Sequence, residues 1–302
     1  MHKTAVLVTL ALSASLGACT KSGPGLAPDK KAPDQIKNVA VQPPKPDLSS
    51  VDLPSTGSVE ERLGRLEKRV NKISEILIAA LPPREADPDT TYAVSIDPID
   101  PIEGPADAKI TIVEGFEFLC PYCYRAVPTL EQIQKAYPKD VRVVNKYFLI
   151  HGAPAIPPGL AACAANKQGK YSEMKKMLWD KIWGSGQPDK DQLAPDALVK
   201  MAGDLKLNTD KFKSDMSSPD CQSWLEKSQE SLQPVGTTGT PSFYVNGRHL
   251  NGAIPFDEFK KIVDEELAKA DKAIAGGVPQ AEYYQREIMG KGDKKVAGYF
   301  DE

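Results

Sequence analysis

Two cysteines with two residues between them, Cys120-Pro121-Tyr122-Cys123, stand where a β-rich run hands over to a helical stripe. That position constrains the fold more than any other feature of the chain. Lys109-Ile110-Thr111-Ile112-Val113 precedes the pair, and Tyr124, Val127, Leu130, Ile133 and Ala136 follow it at helical spacing as far as Pro138. Val141 to Ile150 forms a second apolar strand-like run. Strand, helix, strand in that order opens a βαβ unit with the cysteines at the helix N-terminus. There the free backbone amides and the helix dipole stabilise a thiolate, so Cys120 is the expected nucleophile. Cys123, one turn inside the helix, can attack a mixed disulfide formed on Cys120. Pro121 suits the first turn, where its missing amide costs nothing.

Three other uses of such a pair are disfavoured. A zinc site would need further ligands at close spacing, but Cys163 and Cys221 stand singly and the three His residues show no metal-binding pattern. A structural disulfide across two residues is strained and reducible, which makes it a poor staple. Haem attachment would need His at position 124, where Tyr stands. No metal or cofactor is expected.

The beginning of the chain indicates a compartment. Residues 1–18 read as a secretory signal: Lys3, then an apolar stretch from Ala5 to Leu16 too short to span a bilayer, then small residues. Leu16-Gly17-Ala18-Cys19 resembles the bacterial lipobox, which implies a mature start at an acylated Cys19 and a lipid anchor in the membrane. The expected location is the periplasmic side of a cell envelope. Thr20 rather than Asp after Cys19 leans towards the outer membrane under the usual sorting rule. Lys and Arg number 38 against 41 acidic residues, a net charge of −3, too small and mixed to mark nucleic acid as a partner.

Residues 19–57 are Pro-rich and nearly free of aromatics, and read as a tether that cannot bury enough to order itself. Residues 58–81 change character. Ser58-Val59-Glu60-Glu61 is a capping box, and Val59, Leu63, Leu66, Val70, Ile73 and Leu77 alternate by four and three. This heptad seam predicts a short coiled-coil helix and a homo-oligomer, with an amphipathic helix packed on its own domain as the alternative. Residues 82–106 form a Pro- and Asp-rich connector or added edge strand. The main domain spans 107–275 and is interrupted by a helical insertion at about 159–230. Asn246-Gly247 joins two apolar runs as a hairpin, a last helix runs from Phe256 to about Ile274, and 276–302 is a tail without a readable element.

Two segments resemble the DsbA-like branch of the thioredoxin superfamily. They are Val113-Glu114-Gly115-Phe116-Glu117-Phe118-Leu119-Cys120-Pro121-Tyr122-Cys123-Tyr124 and Gly239-Thr240-Pro241-Ser242-Phe243-Tyr244-Val245-Asn246-Gly247. The resemblance implies an α/β thioredoxin fold with an inserted helical domain, and a thiol-disulfide oxidoreductase acting on exported proteins with an unidentified membrane redox partner. It also implies a cis Pro241 facing the redox pair, with Thr240, Pro241 and Tyr122 as substrate-binding residues. Glu114, six residues before Cys120, corresponds to a buried acid that could carry the proton of Cys123; a surface glutamate is the alternative. Glu117 and His151 receive no catalytic role. Cys163 and Cys221 bracket the insertion and are expected to form a structural disulfide, since unpaired exported thiols are a liability; a second redox relay is the rival reading. Whether the pair oxidises, reduces or isomerises is left open by the motif. A non-catalytic thioredoxin-like scaffold lipoprotein is the third reading.

Overall fold

The computed structural model describes residues 56–81 and 84–297. The chain divides into two units at Ser58, and the architecture below belongs to the second, Val59–Glu302. The signal segment, Cys19 and nearly all of the tether lie outside the described residues.

Helix α1 spans Val59–Ala80, in accord with its capping box and heptad seam. A five-stranded sheet follows, built from β1 (Ile102–Glu103), β2 (Ile110–Phe116), β3 (Val141–Tyr147), β4 (Ser242–Val245) and β5 (Arg248–Asn251) in the order β1-β3-β2-β4-β5. β2 and β3 are parallel and are joined by α2 (Pro121–Ala136); the other pairings are antiparallel. Every residue of β2 is buried, because elements cover both faces of this central strand. Such a strand loses the apolar-polar alternation that would reveal from sequence which way Glu114 points.

Asn246 and Gly247 turn the β4–β5 hairpin with φ of 46° and 83°, the left-handed pair that a two-residue turn matched to strand twist requires. Asn246 also accepts from the Thr111 amide at 2.8 Å and donates to Lys109 O at 3.0 Å, fixing the turn to the start of β2. Helix α8 (Phe256–Ala275) lays Phe259 and Val263 on the face that α2 covers with Ala126, Leu130 and Ile133.

The insertion is wholly helical and slightly longer than the sequence suggests: α3 (Ile156–Asn166), α4 (Tyr171–Trp183), α5 (Pro195–Asp204), α6 (Thr209–Met216) and α7 (Pro219–Leu232). Its core is continuous with the aromatic residues around the cysteine pair, including Phe116, Phe118, Tyr147, Trp179 and Trp224. Cys163 on α3 and Cys221 on α7 are joined as a disulfide with Cα atoms 5.6 Å apart.

Two stretches carry more structure than their sequence suggests. The connector supplies edge strand β1, one of the two forms its sequence left open, and upstream of it an unanticipated strap: Thr91 bridges Arg248 of β5, and Tyr92 N donates to Gly247 O at 2.8 Å. The tail packs rather than trails. Tyr283, Tyr284 and Ile288 are buried with Ala270, and Tyr284 donates its hydroxyl to Val94 O at 2.7 Å. Tyr92 also bridges Asp293 in parallel. The strap and the tail contact segments about 155 to 200 residues away in sequence, so no local pattern announces them.

Candidate active site

Cys120 is the N-cap of α2. It has extended backbone, and its sulfur accepts from the Cys123 amide at 3.4 Å. Its thiol also contacts Thr240 O at 3.2 Å, across a Thr240-Pro241 peptide that is cis. Both sulfurs are buried. Their chemistry diverges. Hydrogen bonding from Cys123 pulls the Cys120 pKa down to about 6 against the cost of burial, helped by Thr240 and the amides of Cys123 and Tyr122. Burial pushes Cys123 well above the ordinary thiol value, and the bond to Cys120 pushes the same way. One thiol is thus a thiolate near neutrality while its neighbour keeps its proton, the arrangement a nucleophile and a resolving thiol need.

The residues expected at the site fall into three places. Thr240 and Pro241 abut Cys120, with the Cys120 thiol 3.2 Å from Thr240 O. Tyr122 stands out from the surface, 55% exposed, with the Arg125 guanidinium 4.1 Å from its ring centre. Glu114 lies inside on β2 and meets Lys175 Nζ at 3.0 Å; the groups acting on Cys123 are Cys120, the Glu117 backbone and Thr240.

Lys175 is the residue the sequence reading missed. It reaches from α4 of the insertion and donates to Glu114, to Glu103 at 3.2 Å and to Asn145 at 2.5 Å. Of the two carboxylates that share this ammonium, Glu103 is held low: burial opposes this, but Lys175, Ser172 and Asn145 outweigh it. Glu114 is raised, because burial dominates and Glu103 repels a second negative charge. Burial pulls Lys175 down, and the two acids more than reverse that. A signal existed. Tyr171, Met174, Leu178, Trp179 and Ile182 define the buried stripe of α4, and Lys175 falls on it, four residues after Tyr171.

Glu117 and His151, to which no catalytic role was given, also pair. Glu117 is fully buried; one of its oxygens accepts from the amides of Ile150 at 3.1 Å and His151 at 3.3 Å, and the other contacts His151 Nδ1. The pair pins the loop after β3 against the residue three before Cys120. Trp183 donates to Phe118 O at 2.8 Å and stacks on Tyr124, fixing α4 to the same segment. Among the described residues no cluster of His, Cys, Asp and Glu could hold a metal ion. No helix there is long and apolar enough to cross a membrane.

Comparison with known proteins accords with this geometry. A family model described as Thioredoxin matches residues 97–265. The chain is 30% identical over 173 residues to the probable disulfide bond formation protein D of Bacillus cereus, covering 55% of this chain and 78% of that one. A thioredoxin-like oxidoreductase from Silicibacter pomeroyi superposes with a TM-score of 0.50 at 30% identity, covering 56% of this chain and 92% of the other. A similar stretch, 60% of this chain, is 28% identical to the Na(+)/H(+) antiporter NhaA 3 of Salinispora tropica, but it spans only 27% of that protein. The chain thus covers about a quarter of the length of that antiporter.

Proposed function

The chain belongs to the thioredoxin family, in its DsbA-like branch of thiol-disulfide oxidoreductases, and we propose that Cys120 and Cys123 are its redox couple, used to form disulfides in exported proteins. In the oxidised state a client thiolate attacks Cys120 Sγ. The Cys120–Cys123 bond breaks, and Cys123 leaves as a thiolate that takes a proton. A second client thiolate then attacks the client sulfur of the mixed disulfide, forming the client disulfide and expelling Cys120 as a thiolate. Two electrons pass from the client to the enzyme couple.

One feature supports the couple: hydrogen bonding from Cys123 and Thr240 pulls the Cys120 thiol down to about 6, so that it attacks and leaves as a thiolate near neutrality. The oxidase direction follows the similarity to a disulfide bond formation protein, and the potential of the couple tests it. Glu114, protonated more readily than an ordinary carboxyl, is the proposed proton store beneath the couple. Thr240, Pro241 and Tyr122 are the proposed client contacts. The Cys163–Cys221 disulfide supports an oxidising compartment, and with the signal-like start it supports a periplasmic, lipid-anchored protein recharged by a membrane redox partner.

Rapid mixing of oxidised protein with a reduced model peptide tests the reading. Cys120→Ala exchanging as fast as the native chain would exclude it. Titration against glutathione then gives the potential, a high value meaning oxidase and a low one reductase or isomerase.

A second reading, a self-associated isomerase, draws on α1. All six seam residues are exposed, from 46% for Leu66 to 73% for Val59, which leaves them free to pair with other copies. Sedimentation with and without residues 58–81 decides this; a monomer in both removes the oligomer.

A further inference from the structure

Beside the cysteine pair lies a cavity of about 690 Å³ that the exchange chemistry does not use. Its apolar wall is Leu119, Pro121, Pro154 and Trp183, its charged members are Arg125 and Lys190, and His151 adds an imidazole. No carboxylate lines it. The acids nearest the lining in sequence are Asp189 and Asp191, either side of Lys190, and Glu117; Asp189 accepts from the Asp191 amide and Gln192, and Glu117 is buried against His151 and two backbone amides. Arg125 and Lys190 are exposed and enter no ion pair among the described residues. A second cavity, across Tyr124 and Arg125, mixes the acids Glu103, Glu114, Glu131 and Asp180 with the cations Arg125, Lys175 and Lys176, and Lys175 and Lys176 pair with three of those acids. The first cavity differs in having cations and no carboxylate in its lining.

Exposed apolar groups flank two residues of the site in sequence. Outside α1, the large hydrophobic side chains left open among the described residues are Ile102, Tyr122 and Ile150. The last two neighbour Cys123 and His151 in sequence. An apolar floor with a cationic rim and no acid, at a concavity of this size, suits a chain segment that carries apolar and carboxylate side chains together. Leu119 and Pro121 flank Cys120 itself. A client joined to Cys120 by a mixed disulfide therefore brings the residues next to its own cysteine to this wall.

We propose that this groove is a client subsite selecting polypeptides with acidic side chains close to the reactive cysteine. It deepens the oxidoreductase reading and rests on it. The groove acts on rate through encounter and register rather than on the sulfur chemistry.

The test uses the full mature chain in its oxidised form and three cysteine peptides of one sequence, flanked by Asp, by Ser or by Lys. At low salt kcat/KM for the Asp peptide should exceed that for the Lys peptide by about tenfold, shrinking as salt screens the rim. In Arg125→Glu with Lys190→Glu the ratio should invert, and in the Met pair it should fall to about one. A shift in the potential of the couple moves all three peptides together and leaves the ratio untouched. Equal rates for the three peptides with the native chain, or a ratio unchanged by both variants, overturns the subsite while leaving the oxidoreductase standing. Failure to exchange with any peptide removes the functional reading, and the subsite with it.

Discussion

Two cysteine pairs lie in one continuous core, and they are built for opposite ends. Cys163 and Cys221 sit on different helices, 58 residues apart in sequence, and are joined. Cys120 and Cys123 share one helical turn and stand as thiols. Closing a long loop removes much entropy from the unfolded chain, whereas closing a two-residue loop removes little. The distant pair thus stabilises the fold, and the adjacent pair is free to cycle. What separates them further is polarisation. Hydrogen bonding from Cys123 lowers Cys120 while burial raises Cys123, a division of pKa that a staple does not need.

That contrast can be broken at either pair. Cys120→Ser should cut exchange at least about a thousandfold and leave the fold intact, as removal of a nucleophile does. Stopped-flow oxidation of a reduced peptide measures it, and residual fast turnover would shift the chemistry elsewhere. Replacing Cys163 and Cys221 together with Ala should cost about 4 kcal/mol of stability by loop entropy, read by urea unfolding. The folded variant should still exchange within about twofold of the native rate. A folded variant that no longer turns over would make this pair a relay and erase the distinction.

Lys175 ties the two regions, since it leaves the insertion to pair with the sheet below the couple. Lys175→Met should destabilise by about 3 kcal/mol, because Glu103 and Glu114 would face each other in the core without a cation. The loss should lessen at low pH, where protonation removes the repulsion.

Ultraviolet thiolate absorbance of the reduced protein should titrate at about 6 for Cys120. At pH 7 about nine tenths would be thiolate, against a few per cent for an ordinary thiol near about 8.5. Because the folded thiol ionises below its unfolded counterpart, ionisation stabilises the reduced fold fully above about 8.5, and that contribution is lost as pH falls through about 6. A midpoint near 8.5 would abolish the polarisation. The smallest effect is expected of Glu114→Gln, roughly a threefold to tenfold slowing with a changed pH profile. A flat slowing across pH would make Glu114 a packing residue.

What could be read from sequence was local. The cysteine turn, the start of α1 and the Asn246-Gly247 hairpin each announce themselves within a few residues: the cysteines open α2, α1 begins at Val59 after Ser58, and the hairpin turns at Asn246-Gly247. Lys175 was legible in principle but passed over, as one cation on an otherwise apolar stripe. Glu114's direction was illegible because β2 is buried on both faces. The strap at Thr91 and Tyr92 and the packed tail at Tyr283 and Tyr284 depend on partners from the far end of the chain, for which no periodicity exists.

That strap changes how the sheet meets other chains. An edge strand with free amides and carbonyls is a template for any extended polypeptide that drifts past. Here Thr91 and Tyr92 occupy the margin at β5 and its turn, and the opposite margin is β1, two residues long between Pro101 and Gly104. The sheet thus offers an unpaired strand of another chain little edge on which to aggregate.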